Sequence, residues 1–339
     1  MNIFVESWKD AQSDHCWLDE NSCEQDYVED STCYGCGHTM EVISEVLNSK
    51  GEVGLVSGLC PSCGYVKRIR NLSDSWYINH FSRNWLKKRV NEQVVEDRYP
   101  FELLAPLMEN KGRVLDVGCG IGTRLIPFKK AGFDVYGVEP SEKRSSTASS
   151  ILGNVETTTG EDYFSNCSRS FDLIYFFDVL QFIKNPFKLL THAAEKLGQG
   201  GLIYIHAGTF YLDHNFCQFS HIGVLQSFLS LYSLKKLFSD LNLSVALYSE
   251  RPFEIVLRKG QVEGRSKNIL ESSKKLTKRD LEKFARKTLK MYRLRIFRKA
   301  KLKLHFRGRE VTIRIKGHFD KHLPISFIHN TSKLPILLK

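Results

Sequence analysis

Between residues 113 and 258 short apolar runs recur along the chain, each bounded by glycine, proline or serine, with helical spacing between them. The first run, RVLDV, places Val114, Leu115 and Val117 around Asp116 and ends in a cluster of Gly118, Gly120 and Gly122. A helix-like run over 123–131 follows. The second run, FDVYGVEP, ends at Glu139, and Pro140 suits the first turn of the serine-rich helix after it. A short third strand near Val155 leads into GEDYF, and a fourth, FDLIYFF, runs into DVLQFIKNP. A helix over 189–197 precedes Gly200-Gly201 and a fifth strand, GLIYIHA; a helix over 233–241 and two strands ending at IVLRK complete the series. Strands alternating with helices predict an α/β fold with a parallel sheet and helices on both faces. A ligand belongs at the carboxyl ends of such strands, where Asp116, Glu139, Glu161 and Asp162 all fall.

Outside this span the pattern changes. Residues 1–30 form an acidic leader without periodicity, and Cys16, Cys23 and His15 match no common ligand spacing. A module over 31–70 carries Cys33-x2-Cys36, then 23 residues beginning with Gly37, then Cys60-x2-Cys63-Gly. A glycine after the second cysteine lets backbone amides turn toward the sulfurs, and four thiolates close a tetrahedral site. The spacing predicts a zinc ribbon whose Zn2+ is structural, with Cys33, Cys36, Cys60 and Cys63 as ligands; a redox pair or reduced thiols are the alternatives. Residues 71–111 are rich in aromatic and charged side chains and read as a helical connector that either lies over a ligand or joins two domains.

Charge separates the tail from the rest. From Lys259 to Lys339 there are 24 Lys and Arg against 6 Asp and Glu, a balance of +18 that leaves −7 for the remainder. Residues 261–339 therefore read as a small basic α+β appendage. Thr277 and Asp280 make a capping-box-like start, with Leu281, Phe284, Ala285, Leu289, Tyr292 and Ile296 at helical spacing behind it. KLKLHF and EVTIRI then alternate with period two, and a two-residue turn at Gly308-Arg309 puts Leu302, Leu304, Phe306, Val311, Ile313 and Ile315 on one face. The basic surface suits an anionic membrane, with nucleic acid the less favoured partner. No apolar run approaches the roughly 20 residues of a spanning helix, and MNIFVESWKD lacks a signal-peptide pattern, so a cytoplasmic location is expected, with peripheral contact at the inner face of the membrane.

The chemistry is concentrated in the first two strands. A dinucleotide fingerprint needs G-x-G-x-x-G, but here the spacing is G-x-G-x-G and Thr123 stands where the last glycine belongs. A carboxylate at Asp116 would repel a pyrophosphate and suits a ligand carrying an ammonium and a sulfonium. Glu139 can take both hydroxyls of a ribose. This pair of stretches resembles the class I S-adenosylmethionine-dependent methyltransferases, whose first motif is VLDxGCGxG and whose second strand ends in an acidic residue. The resemblance implies a Rossmann-like methyltransferase domain over 112–260 with S-adenosyl-L-methionine as cofactor. It implies contacts from Asp116, Gly118, Cys119, Gly120 and Gly122, from Glu139 and Pro140, and from Glu161 and Asp162 at the adenine. DVLQFIKNP is similar to that family's VLEHIxNP stretch and brings in Asp178, with Phe182 where histidine is frequent.

A zinc ribbon ahead of such a domain is similar to the sugar C-methyltransferases and related polysaccharide-pathway enzymes over about residues 30–258. Their insertion after the fifth strand carries an H-E-H motif; here Ser220-His221 stands in place of its final Glu-His. His221 is thus the candidate general base, or a histidine that caps a loop or binds substrate passively, with His206 and His214 in the same region. The acceptor implied is a nucleotide-sugar or a small or lipid-linked glycan precursor, methylated at carbon, oxygen or nitrogen. An RNA methyltransferase and a cofactor-binding protein without catalysis are the alternatives, and the oligomeric state is not legible.

Overall fold

The computed structural model describes residues 27–47, 53–75, 77, 96–207, 225–249, 253–260, 265–281, 299–306 and 309–316. They belong to two units that the chain enters more than once: Met1–Tyr77, Thr209–Ser233 and Lys274–Lys339 form one, and Ile78–Gly208 and Leu234–Ser273 the other.

The first unit starts as four antiparallel strands, β1 (Tyr27–Glu29), β2 (Glu41–Leu47), β3 (Val53–Leu59) and β4 (Val66–Leu72), with β4 between β1 and β3. Each cysteine knuckle closes on its own backbone. The Gly37 N–H donates to the Cys33 carbonyl at 2.8 Å, and the Gly64 N–H to that of Cys60 at 2.9 Å. Both glycines sit at positive φ, 76° and 71°, a conformation that a side chain would strain. Behind the knuckles Ile43, Leu55, Leu59, Tyr65 and Val66 are buried.

The second unit holds the helices α1 (Tyr99–Leu104), α2 (Ile126–Lys130), α3 (Glu142–Leu152), α4 (Gly160–Asn166) and α5 (Pro186–Glu195) among the strands β5 (Arg113–Val117), β6 (Asp134–Val138), β7 (Val155–Glu156), β8 (Phe171–Phe177) and β9 (Leu197–Ala207). After β10 (Ser227–Phe228), which belongs to the first unit, come α6 (Leu231–Asp240), β11 (Leu243–Ser249), β12 (Phe253–Lys259) and α7 (Arg265–Ser272). The sheet order is β11-β12-β9-β8-β5-β6-β7, with β5 to β9 parallel, β12 antiparallel to β9 and β11 antiparallel to β12. On one face Leu104, Leu125, Phe128, Ala148 and Leu152 pack on Val114, Leu173, Tyr175, Leu202 and Tyr204. On the other, Gly160 at the start of α4 lies so close to Val117 and Leu189 that a Cβ there would meet them at 2.9 and 3.1 Å. This is a Rossmann-like α/β sheet with helices on both faces. Element boundaries differ slightly from the sequence pattern. The helix after β5 begins at Ile126 rather than 123, where Pro127 fits its first turn. Ser141 is the N-cap of α3, so Pro140 precedes that helix instead of opening it.

The first unit is completed from far along the chain. β10 pairs with β4, Ser227 opposite Lys67 and Phe228 opposite Val66. Its neighbours satisfy buried polar groups of β4: Arg68 Nε donates to the Leu225 carbonyl at 3.3 Å and Asn71 Nδ2 to Gln226 Oε1 at 2.9 Å. β13 (Lys299–Phe306) and β14 (Arg309–Lys316) form the hairpin read from the alternation, and β13 pairs with β2, Leu302 opposite Val46. The tail is therefore not a separate appendage; its hairpin extends the ribbon's own sheet. The register also differs: Phe306 pairs with Arg309, leaving residues 307 and 308 between them rather than a turn at 308–309. The expected helix beyond Leu281, the acidic leader and most of the connector lie outside the described residues.

Candidate functional site

The glycine-rich turn after β5 uses its glycines for two purposes. Gly118, Gly120 and Gly122 all have positive φ, 79°, 58° and 81°. A Cβ on Gly118 would lie 2.5 Å from Val179 Cγ2 and one on Gly122 2.6 Å from Leu152 Cδ1, so these two permit packing. Beside Gly120 there is open space, where backbone is bared to a ligand. Cys119 does not serve as the motif suggests. Its thiol is buried, and its N–H, like that of Gly118, donates to the Val138 carbonyl, at 3.0 and 2.7 Å.

Asp116 sits one residue before the end of β5 and is 1% exposed. Neither carboxylate oxygen makes a well-aligned hydrogen bond among the described residues, although the Tyr175 hydroxyl lies close enough to support the charge. Burial pushes its pKa up to about 7; the Arg124 guanidinium and Tyr175 hydroxyl offset this in part, and the Glu139 and Asp97 charges add to it. A buried carboxyl with so little hydrogen-bond support is costly.

Glu139, at the end of β6, is also buried, but its oxygens are engaged. Oε1 accepts the Ser141 N–H at 3.0 Å, and Oε2 accepts the Gly120 N–H at 3.0 Å and Arg144 Nη1 at 3.3 Å. A carboxylate offers about four acceptor directions. Two ribose hydroxyls therefore require Arg144 to give up its place, a residue that the sequence pattern did not single out. Asp162 is not poised for an adenine: it is exposed, its N–H donates to Thr159 Oγ1 at 3.1 Å, and its Oδ2 accepts the Thr159 hydroxyl at 2.8 Å. That is a capping box at the start of α4. Glu161 beside it is half-buried.

Asp178 closes β8 with φ 57°, one of two non-glycine residues at positive φ among the described residues. Its N–H donates to the His206 carbonyl at 2.9 Å, and its Oδ1 lies 3.3 Å from His206 Nδ1, at ion-pair distance without hydrogen-bond alignment. The His206 ring stacks on Phe177 with centroids 4.0 Å apart, and the Arg124 guanidinium lies 3.8 Å from the same Phe177 ring. Opposite His206 in the register stands Glu254 of β12, buried and accepting both the Tyr204 and Tyr99 hydroxyls. That carboxylate raises Tyr99 to about 12, with burial the larger cause. The alternation in FEIVLRK marks Glu254 as a break in an apolar strand, but nothing local marks it as buried. His221 and His214 lie outside the described residues.

Residues 88–247 match the model of a family described as a methyltransferase domain. The strands β5 to β9 lie within the matched residues. The ubiquinone biosynthesis O-methyltransferase of Cereibacter sphaeroides is 30% identical to it over 120 residues, 34% of this chain and 48% of that protein. The enzyme of the same name from a Caulobacter species is 30% identical over 114 residues, 32% and 42% of the two chains. The chain thus spans about half the length of the curated relatives it matches. Among solved structures, a SAM-dependent methyltransferase from Archaeoglobus fulgidus aligns with a TM-score of 0.41 and 16% identity over 48% of this chain and 92% of that one. The matched curated relatives carry names of O-methylation in ubiquinone biosynthesis rather than of sugar C-methylation.

Ahead of the methyltransferase domain, the Sγ atoms of Cys33, Cys36, Cys60 and Cys63 all lie within 4.8 Å of one another. Cys33 and Cys63 approach to 3.5 Å and Cys36 and Cys60 to 3.4 Å, close to the ~3.8 Å edge of a zinc–thiolate tetrahedron with bonds of about 2.3 Å. Hydrogen bonding to Cys63 brings Cys33 down to about 5 and drives Cys63 up, while burial raises Cys60. The four sulfurs cannot all ionise together without a cation among them, so the donor set fits Zn2+. No helix of the described residues is long and apolar enough to cross a membrane.

Proposed function

We propose that the protein is an S-adenosylmethionine-dependent methyltransferase that methylates a hydroxyl oxygen of a small or lipid-linked acceptor, a sugar or glycan precursor being the class argued from the ribbon and domain order. The observation that carries the cofactor reading is the glycine turn after β5, where the Gly120 N–H meets the buried Glu139 carboxylate at 3.0 Å with open space beside Gly120. When bound, S-adenosylmethionine supplies a methyl already activated by its sulfonium. Asp116 would hold the ammonium and Glu139 the ribose, and Gly120 would let the ligand approach the backbone. The protein's contribution to rate is alignment of the attacking oxygen and exclusion of water. The names of the matched relatives support oxygen as the methylated atom. Cys33, Cys36, Cys60 and Cys63 would hold Zn2+ in a closed four-thiolate site that stabilises the ribbon and takes no part in the chemistry.

Titration of the full chain with S-adenosylmethionine by calorimetry tests the cofactor, and transfer of a labelled methyl to a panel of phenols and nucleotide sugars tests the acceptor. A folded chain that does not bind S-adenosylmethionine refutes the reading.

A further inference from the structure

On the proposed reading, methyl transfer to a hydroxyl needs a group that removes the acceptor's proton, and Asp116 and Glu139 are committed to the cofactor. The parallel strands end in one other titratable cluster. We infer that His206, positioned by Asp178, is the base that accepts the proton of the acceptor hydroxyl.

Four observations place it. His206 is the penultimate residue of β9, at the ligand end of the sheet, and the next strand over, β8, delivers Asp178 beside it. The register sets Phe177 directly opposite His206, and their rings stack at an angle of 13°, so the imidazole plane is held by an aromatic face. The Nδ1 atom is buried 3.3 Å from Asp178 Oδ1, which leaves Nε2 as the nitrogen for a substrate. Asp178 reaches this position through a left-handed backbone conformation, φ 57°, held by its N–H bond to the His206 carbonyl. A conformation of that kind persists where the surroundings enforce it.

The charged neighbours are defined. Asp178 faces the ring from β8; Glu254 stands opposite on β12, occupied by Tyr204 and Tyr99; Arg124 lies over Phe177 and is itself paired with Asp97, Nε to Oδ2 at 3.1 Å. A small inward rotation of either side chain would turn the 3.3 Å approach into a hydrogen bond that fixes the tautomer with Nε2 as acceptor. In the step itself, a lone pair of the acceptor oxygen forms the new O–C bond while the C–S bond breaks and its electron pair passes to sulfur. The hydroxyl proton passes to Nε2 of His206 and from there to solvent.

The test uses the full chain and two readouts. Diethyl pyrocarbonate labels only accessible, unprotonated imidazole nitrogen, so His206 should be carbethoxylated in the native protein, as read by peptide mass spectrometry. With catechol as the hydroxyl probe, His206→Gln should lose about 10²–10⁴-fold in transfer rate. Its affinity for S-adenosylmethionine should stay within twofold of the parent, and Asp178→Asn should lower kcat about tenfold. A native His206 that resists labelling overturns the inference, whether or not catechol is a substrate. So does a His206→Gln variant that transfers at the parental rate with the parental pH profile. Failure of the parent chain to bind S-adenosylmethionine refutes the methyltransferase reading instead.

Discussion

Replacing Asp116 by Asn should stabilise the protein without its cofactor while weakening cofactor binding, and the stabilisation should grow with pH. The carboxyl is 1% exposed and is pushed by burial up to about 7, against ~3.9 in an unfolded chain. Its folded pKa is raised, so the native state binds the proton more tightly than the unfolded state does. Between pH ~3.9 and ~7 the native state therefore loses stability as pH rises, and above ~7 the full penalty of about 4 kcal/mol is present. At pH 5 the penalty is about 1.5 kcal/mol, so some 2.5 kcal/mol accrues between pH 5 and pH 8. Asn is uncharged at both, and the difference in Tm between variant and parent should widen by ~5–10 °C over that interval. Differential scanning calorimetry of both proteins at the two pH values measures this. Calorimetric titration should show S-adenosylmethionine binding at least tenfold more weakly to the variant, since the ammonium loses a buried counter-charge. A Tm difference that does not move with pH would refute the assignment of a strained, protonatable carboxyl. Unchanged cofactor affinity would refute its role toward the ligand.

Glu139→Ala should lower S-adenosylmethionine affinity at least tenfold, because each charge-assisted hydrogen bond it makes is worth about 1.5–3 kcal/mol; an unchanged dissociation constant counts against the ribose assignment. Zinc should be present at one atom per chain by elemental analysis, and Cys36→Ser or Cys63→Ser should lose metal and thermal stability together; a well-folded chain without metal refutes the ribbon reading. In the hairpin Lys301 pairs with Arg314 and Lys299 with Lys316, and like charges directly opposite are unfavourable. Lys301→Glu should therefore raise stability by about 0.2–1 kcal/mol and weaken binding of the full chain to anionic vesicles at low salt. Equal vesicle binding by variant and parent removes the membrane proposal.

Much of the site could be read along the chain because its parts are local. A β-run that ends in a carboxylate and then glycines fixes its own geometry, so Asp116 and Glu139 could be placed at strand ends before any tertiary contact was known. The four cysteines were equally legible, since C-x-x-C-G closes through hydrogen bonds within five residues. Other features depend on which distant segments meet. Alternation in KLKLHF and EVTIRI determines which residues share a face, but a slip of two residues leaves every side chain on the same face. The observed register therefore had to come from the folded sheet, as did the pairing of β13 with β2. Burial of Glu254 beneath Tyr204 and Tyr99, the approach of Arg144 to Glu139, and the meeting of Asp178 with His206 belong to the same class. Periodicity assigns a residue to a face of its own element; only packing between elements decides what that face meets, and hence whether a carboxylate is solvated, paired or left bare for a ligand.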